Sequence, residues 1–249
     1  MRRFIFSFIV MLTANVTFAQ QAKNIVLVHG AFADGSGWEG VYNILSHKGY
    51  NVTIVQNPLS SLEDDVAAVN LVLDKQDGPT VLVGHSWGGA VISEAGISPK
   101  VVSLVYVAAF QPDAGESALS WAQSAPAAPE NGILAPDPAG FVYYDKAKFH
   151  AGFCADVSKE KAAFMYASQG AFSAKGFGTP LSHAAWKTKP SWGIVATADK
   201  SINPDIERNM YKRSKTTITE LNGSHVIFMS KPKEVAAIIE AAAKGTDKK

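Results

Sequence analysis

Charge is scarce in this sequence, and what there is nearly cancels. Charged residues make up 18% of the 249, with 23 Lys and Arg against 22 Asp and Glu and a formal net charge of +1. There is no block of basic residues beyond Lys244, Lys248 and Lys249 in the tail, so the chain lacks the electrostatic footprint of a nucleic-acid binder. A single cysteine, Cys154, excludes an internal disulfide, and its plain reading is a small buried apolar residue. Glycine shows no collagen-like period, and a hydrophobic content of 47% excludes the low-hydrophobicity composition of a disordered chain. No HExxH, Walker or dinucleotide fingerprint is present, and the motifs imply no metal or cofactor. What remains is a packed globular protein, of a length that α/β folds of about 200–250 residues commonly fill as one domain.

The apolar run from Phe4 to Leu12 is well short of the ~20 residues needed to span a bilayer. Arg2 and Arg3 precede it and Thr17-Phe18-Ala19 follows, which is the pattern of a secretory signal over residues 1–19 cleaved after Ala19. The expectation is an exported protein, periplasmic or secreted, with no stable membrane insertion. The alternative is an uncleaved anchor, and the export route stays open.

Beyond the leader, short β-branched runs alternate with amphipathic stretches, as in a doubly wound, mostly parallel sheet of about six strands flanked by helices. The expected strands are Ile25 to Val28, Val52 to Val55, Val81 to Val83, Val102 to Ala108, Ile194 to Ala196 and Thr216 to Glu220. Their near-continuous apolarity suits burial on both faces. Helices are expected over Trp38 to His47, stopped by Gly49, and after Pro58, where Ser61 caps and Asp64 follows as a capping-box acid. Asp64 and Asp65 then have a structural reading in a first helical turn. A last helix is expected from about Pro232 to Ala243, capped by Ser230. From about 112 to 190 the rhythm breaks. No convincing strand is found there, prolines cluster, and aromatics are dense (Trp121, Phe141, Tyr143, Phe149, Phe153, Phe164, Phe172, Trp186). This reads as an inserted helical cap, its clearest helix over Ser158 to Gln169, with aromatics roofing a pocket. Phe32, Trp121 and Phe164 are the candidate substrate-binding residues.

The sharpest motif is Gly84-His85-Ser86-Trp87-Gly88-Gly89, between the strand Thr80 to Val83 and the helical run Ala90 to Ala95. A strand-to-helix turn with small neighbours can hold Ser86 in a strained, exposed conformation above the sheet, which makes it the candidate nucleophile. His85, beside it on a tight turn, points elsewhere and reads as packing. A serine hydroxyl needs a base and a group that orients the base. Asp199 follows the strand Ile194 to Ala196, and His225 follows Thr216 to Glu220 in Gly223-Ser224-His225. Both lie at carboxyl ends of strands, where the ligand crevice of an open parallel sheet lies. Asp113 is the second choice of acid. Asp205 reads as a helix-start residue, His47 belongs to a surface helix, and His150 and His183 belong to the cap. For the oxyanion, Trp87 supplies one backbone N–H and the loop His29-Gly30-Ala31-Phe32 the other, from Ala31 or secondarily Phe32. The ring of His29 is expected to satisfy loop backbone groups.

These motifs resemble the α/β-hydrolase superfamily: His29-Gly30-Ala31-Phe32, the elbow at Ser86, an acid after the penultimate strand, Gly223-Ser224-His225, and the order Ser, Asp, His. Within it the chain looks most similar to small bacterial serine hydrolases related to the plant group of methyl-salicylate esterases and hydroxynitrile lyases. The resemblance implies an eight-stranded core, but the expected mature chain begins almost directly at the strand leading to His29, so the first two strands of that pattern are expected to be missing and a core of six to remain. Phe32 and Asp34 stand where the lyase loop carries other residues, which points away from cyanohydrin chemistry. The expected activity is hydrolysis of a small to medium carboxylic ester through an acyl-enzyme, with no cofactor. Lactone, amide or lyase chemistry on the same triad, and a non-catalytic ligand-binding protein on the same fold, stand as alternatives.

Overall fold

The computed structural model describes residues 21–245, so the expected leader and the tail lysines 248 and 249 lie outside the described residues. The chain enters at β1 (Asn24–Val28), turns through a 3₁₀ segment at Gly35–Trp38 into α1 (Glu39–His47), and returns as β2 (Asn51–Val55). There follow α2 (Leu62–Asp74), β3 (Thr80–His85), α3 (Gly88–Ala95) and β4 (Val101–Val107). After an excursion of about eighty residues the sheet resumes with β7 (Ser191–Ala196), α8 (Pro204–Arg213), β8 (Thr217–Leu221), the short α9 (Ile227–Ser230) and α10 (Pro232–Ala243). The excursion itself holds α4 (Ala118–Ala122), β5 (Phe141–Val142), α5 (Phe149–Phe153), α6 (Lys159–Ser168), β6 (Phe172–Ser173) and α7 (Ala174–Gly178).

All six expected strands form, in one parallel sheet of order β2-β1-β3-β4-β7-β8. The central strands β1 and β3 are buried at every position, whereas the edge strands β2 and β8 keep half-exposed residues. Burying one such Val, Leu or Ile contributes roughly 1.5–3 kcal/mol, so the apolar runs that announce the strands also hold the sheet. α1 packs on α10 and α2 on α3, covering opposite faces. The topology places the site. From β1 the chain crosses to β2 on one side, and from β3 it crosses to β4 on the other. The order therefore switches between β1 and β3, and the loops leaving their carboxyl ends flank one crevice. Val28 is in register with Gly84, so His29-Gly30-Ala31-Phe32 emerges beside the elbow.

Local signals act much as read. Ser61 accepts from the Asp64 N–H at 3.0 Å at the start of α2, and Gly49 ends α1 at φ +84°. The Asp64 carboxylate accepts from Ser60 rather than closing a full capping box. Two readings are corrected. Ser230 does not cap α10, because α9 occupies the preceding residues and the Ser230 hydroxyl donates to Asp156 at 2.7 Å. The cap also holds the antiparallel pair β5–β6, two residues in each strand. Among the described residues no helix is long and apolar enough to cross a membrane.

Candidate active site

The elbow is a backbone device. Ser86 sits at φ +52°, in the left-handed region that costs a side-chain-bearing residue energy. Its amide donates to Val107 at 3.3 Å, and its carbonyl accepts from Gly89 at 3.0 Å and Phe110 at 3.1 Å. The turn closes because its neighbours lack side chains. A Cβ on Gly84 would overlap the Gly88 carbonyl, one on Gly88 would lie 2.8 Å from the Val28 carbonyl oxygen, and one on Gly30 would lie 2.7 Å from the Ser86 Cβ.

Three side chains from the ends of β3, β7 and β8 meet there. The Ser86 hydroxyl lies 2.8 Å from His225 Nε2, and His225 Nδ1 donates to Asp199 Oδ2 at 2.6 Å. The other oxygen of Asp199 accepts the backbone N–H groups of Ser201 at 2.7 Å and Ile202 at 3.0 Å. All three residues are buried. Asp113, the second choice of acid, pairs instead with Lys187 at 2.6 Å, and Asp205 pairs with Arg208 at the start of α8. The remaining histidines are engaged elsewhere: His47 with the Asn43 carbonyl, His150 with that of Val157, and His183 with Glu94.

His29 and His85 are scaffold. His29 Nδ1 donates to the Gly30 carbonyl at 2.9 Å while Nε2 accepts from the Asn57 N–H at 2.9 Å, and burial holds the ring's pKa below the ordinary value. His85 Nε2 donates to the His225 carbonyl at 3.0 Å, fixing the backbone of the loop that carries His225. From the cap, Asp156 accepts from the N–H and hydroxyl of Ser224 and so braces the same loop. No local pattern marks Asp156, whose partners lie about seventy residues on. Cys154 is buried and unpaired, its thiol pushed up to about 12 chiefly by burial.

Ser86 and His225 open onto a cavity of about 40 Å³ lined by Ala31, Phe32, Trp87, Phe110, Phe153 and Phe172 among others. Phe32, at φ +58°, packs edge-on against Tyr144, Phe153 and Phe172, so the loop after β1 is locked to the cap. Two expected pocket residues are not there. Phe164 faces solvent at 58% exposure on α6 with Lys161 over its ring, because the buried side of that helix is Ala162 and Met165. Trp121 donates its indole N–H to Glu116 and stacks with Trp186 around the Arg213 guanidinium, which clamps the cap to α8. Their places are taken by Phe177, Val142, Ile133 and Ala122, which nothing in their local sequence singles out. A second cavity of about 180 Å³ adjoins the first and shares Phe110, Ala122, Ile133, Phe177, Ser201 and Ile202 with it.

Two buried acids surround the site. Asp65 accepts the indole N–H of Trp87 at 2.7 Å and the Leu59 N–H at 2.7 Å, and burial lifts its pKa to about 6 against the pull of those donors. Glu207 on α8 is wholly buried and neither carboxyl oxygen has a well-formed hydrogen bond. Burial and then the negative charge of Asp199 push its pKa well above the ordinary 4.5, against a smaller downward pull from the Ala196 backbone. A carboxyl raised in the folded state holds a proton that the unfolded chain has released. Stability therefore falls as pH rises from 4.5 toward the folded value. Glu207→Gln removes that slope, so its gain in Tm over wild type should grow between pH 5 and pH 8. Parallel curves from thermal melts across that range would show that Glu207 titrates normally.

The description "Alpha/beta hydrolase family" belongs to a family model that matches residues 25–238. An alpha/beta hydrolase, nvfD, from Aspergillus novofumigatus is 27% identical over 243 residues, covering 88% of this chain and 96% of its own. A pyrethroid hydrolase from Sphingobium faniae superposes with a TM-score of 0.74 at 24% identity, over 89% of this chain and 97% of that one. Polyneuridine aldehyde esterase superposes with a TM-score of 0.75 at 18% identity, over 88% and 98%.

Proposed function

The chain belongs to the alpha/beta hydrolase family, and from that premise we propose that it is an exported serine hydrolase that cleaves a small to medium carboxylic ester. One observation carries the reading: the unbroken contact Ser86 Oγ to His225 Nε2 and His225 Nδ1 to Asp199, at 2.8 and 2.6 Å, opening on an apolar cavity. Ser86 attacks the acyl carbon as its proton passes to His225, and Asp199 stabilises the imidazolium. The tetrahedral oxyanion faces the backbone N–H groups of Trp87 and Ala31. His225 returns the proton to the departing alcohol, and water, deprotonated by the same imidazole, releases the acid and regenerates Ser86.

The two adjoining cavities bear on substrate size. Each is smaller than the several hundred cubic ångströms of a typical ligand pocket, which favours a compact substrate. With the aromatic wall of the inner cavity and Leu119, Ala125, Pro126 and Ile206 in the outer, the site suits an ester with one compact and one extended apolar part. The likeness to a pyrethroid hydrolase and to polyneuridine aldehyde esterase is in keeping with ester hydrolysis. Export rests on the leader, with Arg2 and Arg3 ahead of its apolar run.

A fluorophosphonate probe is expected to label the purified protein once, on Ser86, and a panel of p-nitrophenyl esters to be hydrolysed with lactones and amides turned over more slowly. Tight ligand binding without labelling or turnover would instead identify a binding protein.

A further inference from the structure

Trp87 occupies two places at once. Its backbone N–H follows the nucleophile, and its indole is 1% exposed, packed on Phe172 at 5.3 Å and Phe177 at 6.3 Å between ring centroids. The peptide unit that carries that N–H is held at its Ser86 carbonyl by Gly89 and Phe110, and the Trp87 carbonyl accepts from Ala90 at 3.0 Å and Val91 at 3.4 Å, so the remaining freedom lies in the side chain and the backbone tilt it imposes. The side-chain hold comes from Asp65 in the first turn of α2, wholly buried, whose Oδ2 accepts the indole N–H at 2.7 Å. Asp65 Oδ1 accepts the Leu59 N–H at 2.7 Å, and Leu59 sits at φ +60°, a conformation that a β-strand exit does not adopt unaided. The Leu59 carbonyl in turn accepts the N–H of Ser173 in the cap at 2.9 Å. One carboxylate thus joins the oxyanion residue, the loop after β2 and, through that loop, the cap strand β6.

We propose that Asp65 is a positioning residue for acyl transfer, which sets the Trp87 backbone N–H at the oxyanion by gripping the Trp87 indole. This rests on the ester-hydrolase reading above. The geometry goes beyond a helix-start role, since an acid in a first turn needs no buried partner and Asp64, its exposed neighbour, shows the ordinary arrangement. An indole N–H held by an ionised carboxylate is a charge-assisted bond in a water-excluded site, stiffer than one to a neutral acceptor.

The test uses wild type, Asp65→Asn, Trp87→Phe and the double variant, with p-nitrophenyl butyrate as substrate at pH 8. The asparagine side chain can accept only one of the two hydrogen bonds, and phenylalanine keeps the ring while removing the indole N–H. Complete loss of an oxyanion donor costs roughly 10²–10³ in kcat, and misdirection of one should cost less. Each single variant is expected to lose about tenfold in kcat with KM changed less than twofold, to label fully but more slowly with fluorophosphonate, and the double variant to lose no more than either single. If kcat per labelled serine equals that of wild type, or the losses multiply in the double variant, the positioning role is overturned. Should Asp65→Asn not fold, the kcat-against-KM split of Trp87→Phe decides alone. A wild-type protein that neither labels nor hydrolyses esters would overturn the hydrolase reading, and that failure is seen before any variant is compared.

Discussion

Ser86→Ala is expected to lower kcat for a short-chain p-nitrophenyl ester on the order of 10⁵-fold or more, with the fold intact and KM little changed. The magnitude follows from how the triad works as a unit. In the proposed mechanism the hydroxyl forms the acyl-enzyme and gives its proton to His225, so without it only the oxyanion site and binding would remain. The fold should survive because the elbow is built by its surroundings. Gly84, Gly88 and Gly30 leave the space, and the bonds from Ser86 to Val107, Gly89 and Phe110 are all made by its backbone. Alanine keeps those bonds and loses a hydroxyl whose single partner is His225. Active-site titration of the wild type, followed by kcat and thermal melts of both proteins, checks it. Retention of even a hundredth of the activity would move the nucleophile elsewhere.

Which parts of this architecture can be read from the chain depends on how local their cause is. The six strands are legible because burial on both faces demands continuous apolarity, and β1 with β3 shows that demand without interruption. The elbow is legible in part because Gly84 is required by a contact within a few residues, against Gly88 and Gly89, whereas Gly88 itself is required by Val28, about sixty residues away. Asp199 and His225 follow from the topology, since each lies just past a strand whose carboxyl end must face the crevice. The cap resists the same reasoning. β5 and β6 have two residues each, too few for a period, and they are brought together across a gap of about thirty residues. Phe164 and Phe172 look alike in sequence, yet one faces solvent and the other the cavity, because α6 buries Ala162 and Met165 instead of its phenylalanine. Asp65 is the instructive case. It has a sufficient local explanation in the first turn of α2, and that explanation conceals the bond it makes to Trp87, 22 residues away.

Asp199→Asn carries the second large effect, a loss of about 10⁴ in kcat with KM little altered. The substitution keeps volume and shape, so the loss must come from protons. Asp199 faces three donors: the Ser201 and Ile202 N–H groups on one oxygen and His225 Nδ1 on the other. An amide has one accepting oxygen, and the two fixed backbone donors claim it. Its NH₂ then points at His225 Nδ1 and can be met only by an imidazole that carries its proton on Nε2, the tautomer unable to accept from Ser86. The variant should label slowly with fluorophosphonate for the same reason. Stability should move the other way. Loss of the charge on Asp199 removes an upward push on the Glu207 pKa, so Glu207 ionises at lower pH in the variant and the fall in Tm with rising pH flattens sooner. An asparagine variant that loses activity while its pH–Tm curve stays parallel to wild type would retain the tautomer argument and break the electrostatic link between the two buried acids. The two measurements on one variant therefore separate the orienting role of Asp199 from the charge it imposes on its neighbour.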